Sequence, residues 1–146
     1  MAGEDHHHAH VLLIEDDPGD ALMIRESLEQ AGVPVRLHRV RDGEQGLWFL
    51  GQAARSAPGF PRPRLILLDL GLPGCHGLDV LASLRADRRL RDIRVVVLTA
   101  SRDPRDIRRS QQLGASAYVV KPADFDGLAG LARQIGAMLG LAGARG

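Results

Sequence analysis

Four apolar runs in this chain end on residues that could do chemistry together. "HVLLI" at 10–14 runs into Glu15, Asp16 and Asp17, and "LILL" at 65–68 runs into Asp69. "VVVL" at 95–98 ends on Thr99, and "AYVV" at 117–120 ends on Lys121. Two carboxylates about 4 Å apart repel by roughly 4 kcal/mol at an effective dielectric near 20. A knot of acids therefore needs wide solvation, helix N-termini or a cation. Oxygen ligands, few in number and with no histidine or cysteine at ligand spacing among them, suit magnesium better than zinc or calcium. The Thr99 hydroxyl and Lys121 ammonium are donors for an anion. A carboxylate beside a hard cation, a lysine and a hydroxyl can accept a phosphoryl group, a transfer that asks mainly for positioning and for an offset to developing charge. The product would be an aspartyl phosphate carrying about −2 charge. Lys121 also stands out by type: of 19 basic residues it is the only lysine. Lysine is a compact charge on a flexible stem where arginine is a wide planar fork.

These residues meet only if the four runs are neighbouring strands ending at one edge. The runs are continuous rather than alternating, as expected of strands buried on both faces of a parallel sheet. A fifth, "VPVRLHRV" at 33–40, alternates and suits an edge strand. Helical segments lie between them with legible ends. Asp17-Pro18 and Asp103-Pro104 pair a cap with a first-turn proline, Asp42 and Asp124 are further caps, and Gly32 and Gly114 are stops. Five alternations of strand and helix imply an α/β fold with a doubly wound five-stranded parallel sheet. In the flavodoxin-like order 2-1-3-4-5, ligands bind where the order reverses, between the first and third strands. Those two end in the carboxylates.

At 146 residues, 45% hydrophobic and 25% charged, the chain reads as one ordinary globular domain over 10–140, between flexible tails at 1–9 and 141–146. The net charge of +1 argues against a nucleic-acid partner. No run reaches the ~18 apolar residues of a membrane span. "MAGEDHHHAH" lacks the plan of a signal peptide, and the one cysteine, Cys75, suits a reducing cytoplasm.

The segments "VLLIEDDPGD", "LILLDLGLPGCHGLDVL", "VVVLTAS" and "GASAYVVKPADF" resemble the signature blocks of response-regulator receiver domains, in order and over nearly the whole chain. The resemblance implies that Asp69 is the phosphoacceptor and that Glu15, Asp16 and Asp69 hold Mg²⁺ with the backbone carbonyl of Gly71. It implies that Thr99 and Lys121 contact the phosphoryl group, that Thr99 and Tyr118 form the switch pair, and that Lys121-Pro122 is cis. The partner so implied is a sensor histidine kinase, with no enzymatic activity beyond self-catalysed phosphotransfer and dephosphorylation. The proline-rich loop "RSAPGFPRPR" at 55–64 and "LRADRRLRDIRVVVLTAS" are similar to the single-domain regulators of phytochrome-type kinases. That class implies a homodimer through the last helices and strands. Its dephosphorylation-tuning positions are Gly71 and Ser101, both small and uncharged.

Three rivals remain. A small Mg²⁺-dependent phosphohydrolase of the haloacid-dehalogenase type wants Asp-x-Asp, where this chain has Asp69-Leu70-Gly71. A flavin-binding protein would want a Ser/Thr/Gly-rich loop where the three acids stand. A pseudo-receiver would bind partners without phosphorylation. Other features read plainly: Asp17 as a cap and not a metal ligand, His6, His7, His8 and His10 as a tail, Cys75 and His76 as a surface turn, Trp48 as part of the second helix's packing face. The arginines 102, 105, 108 and 109 read as a solvated helix face. No domain is expected to follow Gly146, so output would come through contact with another protein, a change in self-association or onward phosphotransfer.

Overall fold

The computed structural model describes residues 9–141. The tail histidines 6–8 and the end of the chain from 142 lie outside them. In chain order the elements are β1 (Ala9–Ile14), α1 (Pro18–Gln30), β2 (Val35–Val40), α2 (Gly43–Ala54), β3 (Leu65–Leu68), α3 (Gly77–Ala86), β4 (Arg94–Thr99), α4 (Pro104–Gln112), β5 (Ala117–Val120) and α5 (Phe125–Met138). The five strands are parallel, in the order β2-β1-β3-β4-β5. The fold is the flavodoxin-like one expected.

Helix ends follow side-chain chemistry. The Asp17 carboxylate accepts from the N–H groups of Gly19 and Asp20 at 2.8 and 3.3 Å. Asp42, Asp103 and Asp124 do the same for α2, α4 and α5. Each satisfies backbone donors that a helix start leaves orphaned. His76 is a cap as well, its Nδ1 accepting from Leu78 N–H at 3.0 Å, so the turn expected there starts α3. Gly32 and Gly114 adopt φ of 71° and 80°, the left-handed geometry that stops a helix.

Alternate residues of each strand feed two apolar layers. Val11, Leu13, Leu65, Leu67, Val96 and Leu98 pack under α1 and α5. Leu12, Ile14, Ile66, Leu68 and Val95 pack under α2 and α3. β1, β3 and β4 are thus buried on both faces, which makes the rim at their carboxyl ends rigid. β5 departs from expectation: all four of its residues are only partly buried. It is the sheet edge, with β4 as its one neighbour, and the nearby α4 is polar, with Ser110 its only buried residue. Trp48 also departs. The inward face of α2 is Gly43, Gly46, Phe49, Leu50 and Ala53, which leaves Trp48 59% exposed with its ring edge-on to Phe60 of the proline-rich loop.

Asp69 is held from behind by a glycine. Gly77 N–H donates to the Leu70 carbonyl at 3.0 Å, and a Cβ on Gly77 would lie 2.4 Å from the Asp69 carbonyl oxygen and 2.6 Å from Leu70 Cα. Both atoms are backbone and cannot step aside. Gly77→Ala should therefore cost about 1–3 kcal/mol of stability through overpacking. At Gly51, inside α2, a Cβ meets nothing within 4 Å. There the same change should gain about 0.5–1 kcal/mol through lower unfolded-chain entropy. Urea melts of the two variants check the pair, and equal shifts would contradict the packing described.

Candidate functional site

The hydrogen-bond ladder of the sheet continues one residue past the strands and delivers the polar residues to one rim. Asp69 N–H donates to the Ile14 carbonyl at 3.2 Å, Glu15 N–H to Val40 at 3.1 Å, and Lys121 N–H to Thr99 at 2.8 Å. Backbone pairing, and not side-chain attraction, therefore puts the acids together. One oxygen from each of Glu15, Asp16 and Asp69 lies within 4.8 Å of the others.

Lys121 reaches into this group. Its Nζ lies 2.8 Å from Glu15 Oε1, 2.8 Å from Asp20 Oδ2 and 3.1 Å from Asp69 Oδ2. The second Asp69 oxygen, Oδ1, accepts from Gly71 N–H at 3.1 Å. The second Glu15 oxygen, Oε2, accepts from Asp17 N–H at 3.1 Å. Burial works against the charge on Lys121, yet hydrogen bonds to Asp20, Glu15 and Asp69 outweigh it and hold its pKa well above the ordinary lysine value. Glu15 moves the other way for a carboxylate. Its side chain is 1% exposed, and burial raises its pKa despite the Lys121 hydrogen bond. One ammonium among three carboxylates leaves the pocket short of positive charge, and nearby Asp16 adds a fourth negative group. That deficit, with oxygen donors only, fits a hard divalent cation.

Two further parts come from the rim. Arg39, at the end of β2, donates from Nε to the Glu15 carbonyl at 2.9 Å and from a terminal nitrogen to the Asp16 carbonyl at 3.0 Å, fixing the acidic loop from outside. On the other side, Thr99 is 2% exposed, and its hydroxyl oxygen accepts from Ser101 N–H at 3.3 Å. Ser101 Oγ donates to Asp106 Oδ2 at 2.6 Å, and its carbonyl accepts from the Tyr118 hydroxyl at 2.9 Å. Ser101 thus links the strand-end threonine to the aromatic residue and to the first turn of α4. The Tyr118 phenol is raised in pKa, first by burial.

The structure places Glu15, Asp16 and Asp69 together with Lys121 at the rim, and Asp17 is the cap expected. The sequence reading missed Asp20, Arg39 and Asp106. Asp20 carried a signal, as an acid in the first turn of the helix that starts at the acidic loop. Arg39 carried none, because only strand order brings the end of β2 beside that loop. The Lys121-Pro122 bond is not cis: the described residues hold no cis peptide bond. Trans is the form an X–Pro bond prefers by roughly 0.5–1 kcal/mol.

The family model described as "Response regulator receiver domain" matches residues 11–133. The "Probable methanogenesis regulatory protein FilR2" of Methanothrix harundinacea is 37% identical over 118 residues, 81% of this chain and 75% of that protein. "Response regulator Rcp1" of a Synechocystis strain is 36% identical over 118 residues, 81% of this chain and 80% of that one. The structure of Rcp1 in its Mn(2+)-bound form superposes with a TM-score of 0.78 at 33% identity, covering 90% of this chain and 94% of its own. The phosphorylated cyanobacterial phytochrome response regulator RcpA superposes with a TM-score of 0.79 at 35% identity, covering 90% and 93%.

The electrostatics of the pocket has a measurable signature. Lys121→Met removes the ammonium that three carboxylates share and should cost about 1–3 kcal/mol at pH 8, the usual range for buried polar groups left without a partner. Glu15 titrates above its unfolded value in the native protein, so its contribution to stability is present below about pH 4.5 and is lost as pH rises through the native value. Removing the lysine raises that native value further. The stability deficit of Lys121→Met should therefore shrink steadily as pH falls from 8 to 4.5 in chemical denaturation. A deficit independent of pH would mean that the carboxylates do not repel.

Proposed function

The chain belongs to the response-regulator receiver family, and from that premise we propose that it accepts a phosphoryl group on Asp69 from the phosphohistidine of a phytochrome-type sensor kinase. The observation that carries this reading is the Lys121 ammonium, held between Asp69 and two other acids on a rim rigid enough to aim all of them. Its phytochrome part is supported by Rcp1 and RcpA, the second described as a phytochrome response regulator.

An oxygen of Asp69 forms the new O–P bond while the P–N bond of the kinase imidazole breaks, and the imidazole keeps the electron pair. Gly71 N–H fixes Asp69 Oδ1, so one carboxylate oxygen is oriented before reaction. Lys121 lies within reach of Asp69 Oδ2 and can pass from the carboxylate to a phosphoryl oxygen without leaving the pocket. Preorganised charge of this kind lowers the barrier without a late rearrangement. Glu15, Asp16, Asp69 and the Gly71 carbonyl would hold Mg²⁺, which when bound offsets charge on the transferring group. Thr99 offers its hydroxyl to the new phosphate. A move of that hydroxyl loads the contacts of Ser101 with Tyr118 and Asp106, and so reaches α4 and β5.

The output surface would then be α4, β5 and α5. β5 supports a homodimer there, because it is a partly buried edge strand of Ala117, Tyr118, Val119 and Val120. An unpaired strand edge and half-covered apolar side chains are what a second copy can complete. We place the module in the cytoplasm as a phosphoacceptor rather than an enzyme acting on a separate substrate.

Intact mass after incubation with Mg²⁺ and a small acyl phosphate tests the reading. One added phosphoryl mass is expected on the native protein, none without Mg²⁺ and none on Asp69→Asn. Thr99→Ala should still gain the group but lose the change in self-association on gel filtration. A folded protein that neither gains mass nor binds a beryllofluoride mimic would be a pseudo-receiver, and the proposal would fall.

A further inference from the structure

A pair of histidines lies toward the opposite end of the sheet. His10 belongs to β1, not to the histidine tail. In the parallel register it lies opposite Arg36, two positions before the Leu12–His38 pair, so His10 and His38 share one face of neighbouring strands. Their rings approach with centroids 5.1 Å apart, and His10 Nδ1 lies 2.9 Å from His38 Nε2. His38 also leans on Phe49, its ring centroid 5.6 Å away, so its orientation is fixed by the core. Both histidines are only partly buried. At ~3.3 Å per residue, His10 lies roughly 16 Å along the strand from Glu15, well clear of the acidic rim.

We propose that His10 and His38 form a two-imidazole site for a borderline-soft divalent cation of the Zn²⁺ class. Two imidazole nitrogens bound at about 2.0–2.1 Å to a tetrahedral ion stand roughly 3.3 Å apart. The present N···N contact has to open by only a few tenths of an ångström, with water completing the coordination. Metal ligation requires neutral imidazole. Burial, and after it His10, Arg36 and Arg25, push the pKa of His38 below the ordinary histidine value, which favours the neutral form that ligation needs. The same arginines oppose a cation held by charge alone. They leave the site to metals that bond well to neutral nitrogen, and they separate it in chemistry from the oxygen-lined pocket at Asp69. His6, His7 and His8 precede the pair in sequence and are a rival chelator, which the experiment must tell apart.

Thermodynamic linkage does so. A histidine tail binds metal in the folded and the unfolded chain alike and does not shift the melting temperature, whereas a site built across two strands exists only in the fold and raises it. The experiment uses Zn²⁺ with Mg²⁺ in excess on four full-length proteins: native, His6/His7/His8→Gln, His10→Gln and His38→Gln. The acidic pocket is common to all four. The Zn²⁺-induced rise in Tm is expected in the native and tail variants and is expected to vanish in His10→Gln and His38→Gln. Loss of an outer-shell partner alone weakens metal affinity about 10–100-fold, so competition with a chromophoric chelator should show at least about tenfold weaker binding for each strand variant. Each variant's shift is read against its own metal-free Tm, so a change in baseline stability does not obscure it. A rise of equal size in His38→Gln, a rise abolished in the tail variant, or no rise in the native protein would each overturn the proposal.

Discussion

Everything at the rim depends on one cation shared by too many anions. Lys121 contacts Glu15, Asp20 and Asp69 at hydrogen-bond distance, and no second cation contacts their carboxylates among the described ion pairs. A pocket so arranged is stable enough to fold and still attracts further positive charge. Were the acids fully paired, there would be no pull on a dication. Were the lysine absent, burial would push the pKa of Glu15 higher still. The fold supplies what makes this tolerable: the acids are held by backbone hydrogen bonds that continue the β ladder, so their repulsion cannot push them apart.

The same ladder explains how the site and its surroundings are connected. β1, β3 and β4 are packed on both faces and cannot shift independently. The side chains at their ends and the β4–α4 loop carry the polar contacts. There Ser101 stands between Thr99, Tyr118 and Asp106, with one residue giving or accepting a bond to each. Ser101 thus joins the pocket edge to α4, whose one buried residue is Ser110, and to β5, whose four residues are all partly buried.

Sequence patterns reveal what is local or repeated. Strand runs, helix caps at Asp17, Asp42, Asp103 and Asp124, and the order of the elements were legible because each is written within a few neighbouring residues. The acids and Lys121 were legible because a parallel sheet ends all its strands at one edge. Arg39 was not, since its contacts to the acidic loop come from the pairing of β2 with β1 and not from any motif. The half-burial of β5 was missed although the expected order already made it an edge: "AYVV" is as apolar as a central strand, and composition was given more weight than position. Trp48 was misjudged because periodicity places it near the buried stripe of α2, while the exposure of that flank is set by a loop. His10 was read with the tail because four histidines in five positions resemble a tag, and its partner lies 28 residues away.

The confinement of Lys121 has a chemical corollary. An amine is a nucleophile only when unprotonated, and the three acids hold this one in its ammonium form. It is also the chain's sole lysine. The one side-chain amine of the sequence is thus held as an ammonium among carboxylates and is a poor nucleophile there.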